Sequence, residues 1–156
     1  MSLTDDFEYF GKLIALAKRV HDTSRVPFGA GTCEGHFVNQ NTVIRIAEAA
    51  DEVREAVPEG AKDWYSSNDP DSICYVVLSV YRNCILHNRG KMQSDFDKKL
   101  KDRKSEYEKL CRDMDMQPHE CGDKIQLPAQ PMIRDLLLGL ERFVGKQVRG
   151  RESRQT

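Results

Sequence analysis

The chain has 156 residues, of which 39% are apolar and 31% charged, and its formal net charge is −1. That length suits one domain able to bury a core without disulfide or metal staples, and that apolar content excludes an intrinsically disordered chain. The near balance of charges excludes a bulk positive field, so any contact with nucleic acid has to come from a local basic patch.

Phe7, Phe10, Ile14, Ala17 and Val20 recur at steps of three and four, with Lys12, Lys18 and Arg19 between them. This spacing predicts a first helix from about Thr4, a plausible N-cap, to His21. From Asp22 to Gln40 the chain holds Pro27, Gly29, Gly31 and Gly35 and no sustained period, which reads as a long loop. Ile46, Ala50, Val53 and Val57 predict a second helix from about Asn41 to Val57, with Arg45, Glu48, Glu52 and Glu55 on its polar face and Pro58 and Gly60 as its stop.

Asp69-Pro70 is a start signal, an N-capping acid before a proline at the first helical position. Ile73, Val77, Val80, Tyr81 and Cys84 continue from it as the most apolar stripe of the chain, and Gly90 suits a residue just past the helix end. Ser94 to Met114 is highly charged, and Phe96, Leu100, Tyr107, Leu110 and Met114 leave only a thin apolar stripe, as on a peripheral helix. Lys124 to Leu127 alternates like a short extended segment. A last helix then places Ile133, Leu136, Leu137, Leu140, Phe143 and Val144 on one side. No fixed-period repeat and no strand-helix alternation is present, so the expected fold is an all-α bundle of four to five helices. Residues 1–148 form its single domain, and residues 149–156 a basic, flexible tail.

The site-like feature is Arg82-Asn83-Cys84-Ile85-Leu86-His87, at the end of the most apolar predicted helix. The Arg-to-His spacing alone is permissive, because Arg112 and His119 also fit it; that pair straddles a proline and lacks an Asn after the Arg. At helical spacing Asn83 and His87 are one turn apart on one face, so the amide can orient the imidazole. Arg82 and His87, five residues apart, point about 140° apart on an ideal helix and converge only if the helix ends or distorts there, or if a ligand spans them.

Arg82-Asn83-x-x-x-His87-Asn88, after a buried helix and before a Gly, resembles the signature of the HEPN superfamily of small helical proteins. Gly122 to Leu127 ahead of an amphipathic last helix is similar to what these domains carry there, and the resemblance spans about Phe7 to Val148. It implies a four- or five-helix bundle that dimerises with two motif copies in one cleft. It implies too a metal-independent endoribonuclease that needs no cofactor, with Arg82, Asn83 and His87 catalytic and Asn88, Arg89 and Lys91 binding substrate. Other members of the family are non-catalytic modules that bind RNA, a nucleotide or a partner protein. An antitoxin or a nucleotidyltransferase is the kind of partner implied, and a toxin-antitoxin or defence role the kind of setting.

The residue chemistry fits on its own terms. Cleaving RNA through its 2′-hydroxyl needs a base for that proton, an acid for the departing 5′-oxygen and a cation for the phosphorane-like transition state. The His87 imidazole is of the kind that serves as acid or base, and Arg82 offers a planar, permanently charged fork. One His per site leaves one proton role unfilled, and a homodimer with a second His87 across the cleft supplies it.

Plainer readings compete. Arg82 and His87 could simply cap carbonyls at a helix C-terminus, and Arg89, Lys91, Lys98, Lys99 and Lys101 could be a solvated face rather than a basic patch. Cys33-x-x-His36 and His119-x-Cys121 offer four metal donors, but at spacings unlike those of zinc knuckles, and no metal is expected. Cys84 reads as a core residue, and Trp64 as an aromatic free to stack on a base. The five scattered cysteines suit free thiols in a reducing compartment. No apolar run reaches the roughly 18 residues that span a bilayer, and the acidic start Thr4-Asp5-Asp6 lacks a secretory n-region, so a cytoplasmic location without membrane contact is expected.

Overall fold

A computed structural model describes residues 2–23, 33–57, 63–87, 98–113, 118 and 130–152; at 20–23, 33–40, 130–134 and 150–152 it describes the backbone alone. The chain is all-helical, with no strand among the described residues: α1 (Leu3–Thr23), α2 (Cys33–Ala56), α3 (Ser72–His87), α4 (Lys104–Asp113) and α5 (Gln130–Glu152). A 3-10 turn over Lys101–Arg103, itself preceded by a helical turn at 98–100, leads into α4. α1 packs on α2 and α5, and α3 packs on the same two helices, which closes a four-helix ring; α4 lies outside it against α3. No described helix is long and apolar enough to cross a membrane.

The predicted stripes are the core. Phe10, Ile14 and Ala17 of α1, Ile46, Ala50, Val53 and Val57 in or just past α2, and Leu136, Leu137, Leu140, Phe143 and Val144 of α5 are all buried. α3 is buried at every position from Ser72 to Tyr81, as the most apolar stripe should be. Element boundaries move. α2 starts at Cys33 rather than Asn41, so the second part of the expected loop is helical. Helix growth is cooperative, and once the later stripe is packed a single Gly35 costs only about 1 kcal/mol. α5 likewise runs on to Glu152, so the expected flexible tail is helical over 149–152. The expected extended segment at 124–127 lies outside the described residues.

Trp64 is a further correction. It is 1% exposed and no free stacking platform. Its ring meets Tyr75 and Phe143 edge-on, with centroids 5.2 and 5.5 Å apart, and so fills the seam between α3 and α5.

α3 starts at Ser72, two residues past the expected first position Pro70, which lies with Asp71 in the turn leading into the helix. Asp69 Oδ1 accepts the Asp71 amide at 2.9 Å and so closes that turn. Asp71 in turn receives Arg142 of α5, with Nε at 3.1 Å and Nη2 at 3.0 Å, and Lys146 Nζ at 3.3 Å. Behind this staple sits Arg103, buried although charged. Its Nη1 donates to the Tyr65 carbonyl at 3.0 Å, and its Nη2 to Ser72 Oγ and Glu106 Oε2, each at 2.6 Å. A buried guanidinium is tolerable because its donors are spent in this way.

α3 and α5 approach closely at Gly139, where an added Cβ would run into Cys74 Sγ. Gly139→Ala is therefore expected to destabilise the fold by about 1–3 kcal/mol in urea unfolding, despite alanine's better helix propensity. Cys74→Ala in the same chain is expected to recover part of that loss. The hydrogen bond from Arg142 is the main cause that holds the Asp71 carboxyl below its ordinary value of 3.8. A depressed folded-state pKa contributes stability that is complete above the unfolded value and lost as pH falls through the folded one. Because Arg142 is 58% exposed, the contribution is at most about 1 kcal/mol. The stability deficit of Arg142→Met should stay constant from about pH 7 to pH 5 and shrink below about pH 4, as read by urea midpoints across pH.

Candidate functional site

The last turns of α3 carry the motif from the dry core into solvent. Tyr81 and Cys84 are buried, Arg82 and Asn83 half-buried, and Leu86 and His87 exposed. α3 stays helical to His87, its last residue. Asn83 and His87 therefore share a face one turn apart, whereas Arg82 and His87 leave the helix about 140° apart and are not brought together within one chain. Asn88, Arg89 and Lys91 lie outside the described residues, as do the imidazole of His119 and the thiol of Cys121; of Cys33 and His36 only the backbone is described. Among the described residues no group of three or more His, Cys, Asp or Glu side chains could hold a metal ion.

Arg82 faces α2. Its Nη1 lies 3.6 Å from Asp51 Oδ2, and its Nε lies 3.9 Å from Glu48 Oε1. Neither distance is a short, charge-assisted hydrogen bond, and Nε is buried without a hydrogen-bond partner among the described residues. Asp51 is itself held, because the Tyr75 hydroxyl donates to its Oδ1 at 2.6 Å and Arg54 Nε lies 3.8 Å from the same oxygen. Burial, followed by the Asp51 charge, drives the Tyr75 phenol far above its ordinary range, so it is a permanent donor here.

The sequence offers Glu48 only as part of a polar helix face, gives no sign of Tyr75 and only a faint one of Asp51. Asp51 sits one position from the buried Ala50, at the edge of the α2 core stripe. A carboxylate at such an edge is a weak signal that it meets a cation from the next helix.

Lys99 of the expected basic patch does find an aromatic partner. Its Nζ lies 5.0 Å from the Tyr65 ring centroid, and Arg54 is 5.7 Å from the same centroid. Lys98 and Lys101 are exposed.

A cavity of about 390 Å³ lies at the other end of α3, between Ile73 and Cys74, α4 and the first half of α5. Thirteen residues of helix, about 20 Å, separate Cys74 from His87, so this cavity is not the motif's site. Asp71, Glu106, Asp113 and Asp135 line it against Lys109 and Arg142, a balance that repels a polyanion such as RNA. Nor is Cys74 a nucleophile there. Burial pushes its thiol up to about 12, and the Asp71 charge adds to the effect. Alkylation of Cys74 by iodoacetamide near pH 8 should accordingly wait on unfolding, with a rate, read by mass spectrometry, that tracks urea concentration through the unfolding transition. No family model, no curated protein and no solved structure matches the chain.

Proposed function

We propose that the protein is a metal-independent endoribonuclease of the HEPN type, working as a homodimer in which two copies of the motif share one cleft. The observation that carries this reading is the end of α3, where His87 is exposed, Asn83 stands one turn below it on the same face, and Arg82 emerges from between two carboxylates. His87 removes or returns a proton, Asn83 orients the imidazole, and Arg82 stabilises charge on the scissile phosphate. Asn88, Arg89 and Lys91 follow in the chain as contacts for the flanking phosphates. The 2′-oxygen attacks the adjacent phosphorus and loses its proton to one imidazole, while the P–O5′ bond breaks and the leaving oxygen takes a proton from the other. The products are a 2′,3′-cyclic phosphate and a 5′-hydroxyl.

Two subunits answer a geometric problem as well as a chemical one. Arg82 and His87 diverge on a single α3, and a symmetry-related α3 can set the partner's imidazole opposite this chain's guanidinium. Leu86, 45% exposed beside His87, is apolar surface that such a pairing would cover.

The non-catalytic alternative, a module that binds RNA, a nucleotide or a partner protein, draws support from the ion pairing of Arg82, which lowers its availability to phosphate. An antitoxin or nucleotidyltransferase partner would suit either reading.

Incubating end-labelled RNA with wild type and His87→Ala in excess chelator separates them. Catalysis predicts cyclic-phosphate ends from wild type and a fall of at least about a hundredfold in rate for His87→Ala. RNA left uncut by a folded, dimeric wild type would sink the enzyme reading.

A further inference from the structure

The two carboxylates that face Arg82 are held very differently. Asp51 is anchored through Oδ1, which accepts the Tyr75 hydroxyl at 2.6 Å with Arg54 Nε at 3.8 Å, and turns Oδ2 toward Arg82 Nη1 at 3.6 Å. Tyr75 is itself enclosed, 1% exposed and edge-on against Trp64. Hydrogen bonding and packing thus run from the aromatic seam through Tyr75 to Asp51, whose held charge faces the guanidinium. Among the described residues Glu48 has no such support. Its side chain is 47% exposed, and its oxygen stands 3.9 Å from Arg82 Nε, too far for a hydrogen bond.

A guanidinium that stabilises a transition state has to be in place before charge develops, and a long, rotamer-rich side chain is not so by itself. Asp51 supplies the placement. An anion beside the same guanidinium, in contrast, competes with any phosphate that approaches it. Glu48, loosely held and half in solvent, is the one that can yield.

We infer that Asp51, fixed by Tyr75, is the positioning residue that presents Arg82 to a phosphodiester, and that Glu48 is the resting counter-ion which the phosphodiester displaces. This rests on the ribonuclease reading above. It assigns opposite kinetic signatures to two acids three residues apart on one helix. Removing the Glu48 charge relieves competition and leaves the geometry alone, so it acts on binding. Removing the Asp51 charge leaves the attraction between Arg82 and phosphate at least as strong but frees the guanidinium to wander, so it acts on turnover. A purely structural role for either acid would lower the unfolding temperature and move neither parameter in the folded protein.

The test compares steady-state cleavage of a short RNA by Glu48→Gln, Asp51→Asn, Asp51→Glu and Tyr75→Phe, each shown folded by circular dichroism. RNA affinity is measured in parallel in a His87→Ala background. Glu48→Gln is expected to lower KM and Kd by about three- to tenfold with kcat within about twofold of wild type. Asp51→Asn should lower kcat by about tenfold or more with KM unchanged or reduced, Asp51→Glu should regain part of that, and Tyr75→Phe should fall between. Wild-type kcat and KM in both Glu48→Gln and Asp51→Asn, with His87→Ala inactive, would overturn the inference and leave the ribonuclease reading standing. Should wild type cut no RNA, the ribonuclease reading fails and RNA affinity decides the rest: tighter binding by Glu48→Gln keeps Glu48 as a displaced counter-ion, and unchanged binding removes it. If Asp51→Asn does not fold, Tyr75→Phe, which deletes a single hydroxyl, takes its place, and a wild-type kcat for it would count against the positioning role.

Discussion

Burying α3 from Ser72 to Tyr81 obliges its polar side chains to find partners on other parts of the fold, and the architecture follows from where those partners are. Ser72 receives the buried Arg103 ahead of α4, Tyr75 donates to Asp51 of α2, and the Tyr81 hydroxyl lies 3.2 Å from that of Tyr107 on α4. These ties join the central helix to α2 and to the α4 segment at fixed heights. Apolar packing alone tolerates sliding by a turn at modest cost; a buried phenol or guanidinium stranded without its partner does not. Ser79 stands apart, its hydroxyl buried without a hydrogen-bond partner among the described residues.

The same constraint places the motif. One helix is dry along its first ten residues and reaches water within its last turn and a half, so Arg82, Asn83 and His87 sit on a rigid support at a boundary of dielectric. Ionic groups are worth more there than on an open surface, and their geometry is set by the core rather than by solvent. The opposite end of α3 is tied down by Asp69, Asp71, Arg142 and Lys146, a network that serves the helix start and leaves the acidic cavity beside it chemically unlike the motif end.

Much of the fold was legible because its signals are local. The three-and-four spacing of α1, the stripe in α2, the Asp69-Pro70 start and the last apolar helix each lie within a few turns of chain, and the apolar residues of the three stripes are buried almost as expected. The misreadings share one cause, which is that burial and propensity are decided by neighbours distant in sequence. Cys33 to Gln40 lacks an apolar period of its own yet continues a helix nucleated elsewhere. Trp64, between two predicted helices, looks free until α3 and α5 close on it. Arg103 reads as one more charge on a peripheral helix, although a serine, a carbonyl and a glutamate converge to take its donors.

The candidate site divides in the same way. By itself the sequence determined that Arg82, Asn83 and His87 stand at the wet end of the most buried helix, and that Asn83 and His87 share a face, because helical periodicity and apolar content are properties of a short stretch. Only the tertiary structure decided what surrounds the arginine. Asp51 and Tyr75 are 24 residues apart in the chain, and a 2.6 Å hydrogen bond between them exists only once α2 has packed on α3. Local pattern can say which residues reach a surface, but the electrostatic partner that fixes a charged side chain comes from another helix, and packing alone chooses it.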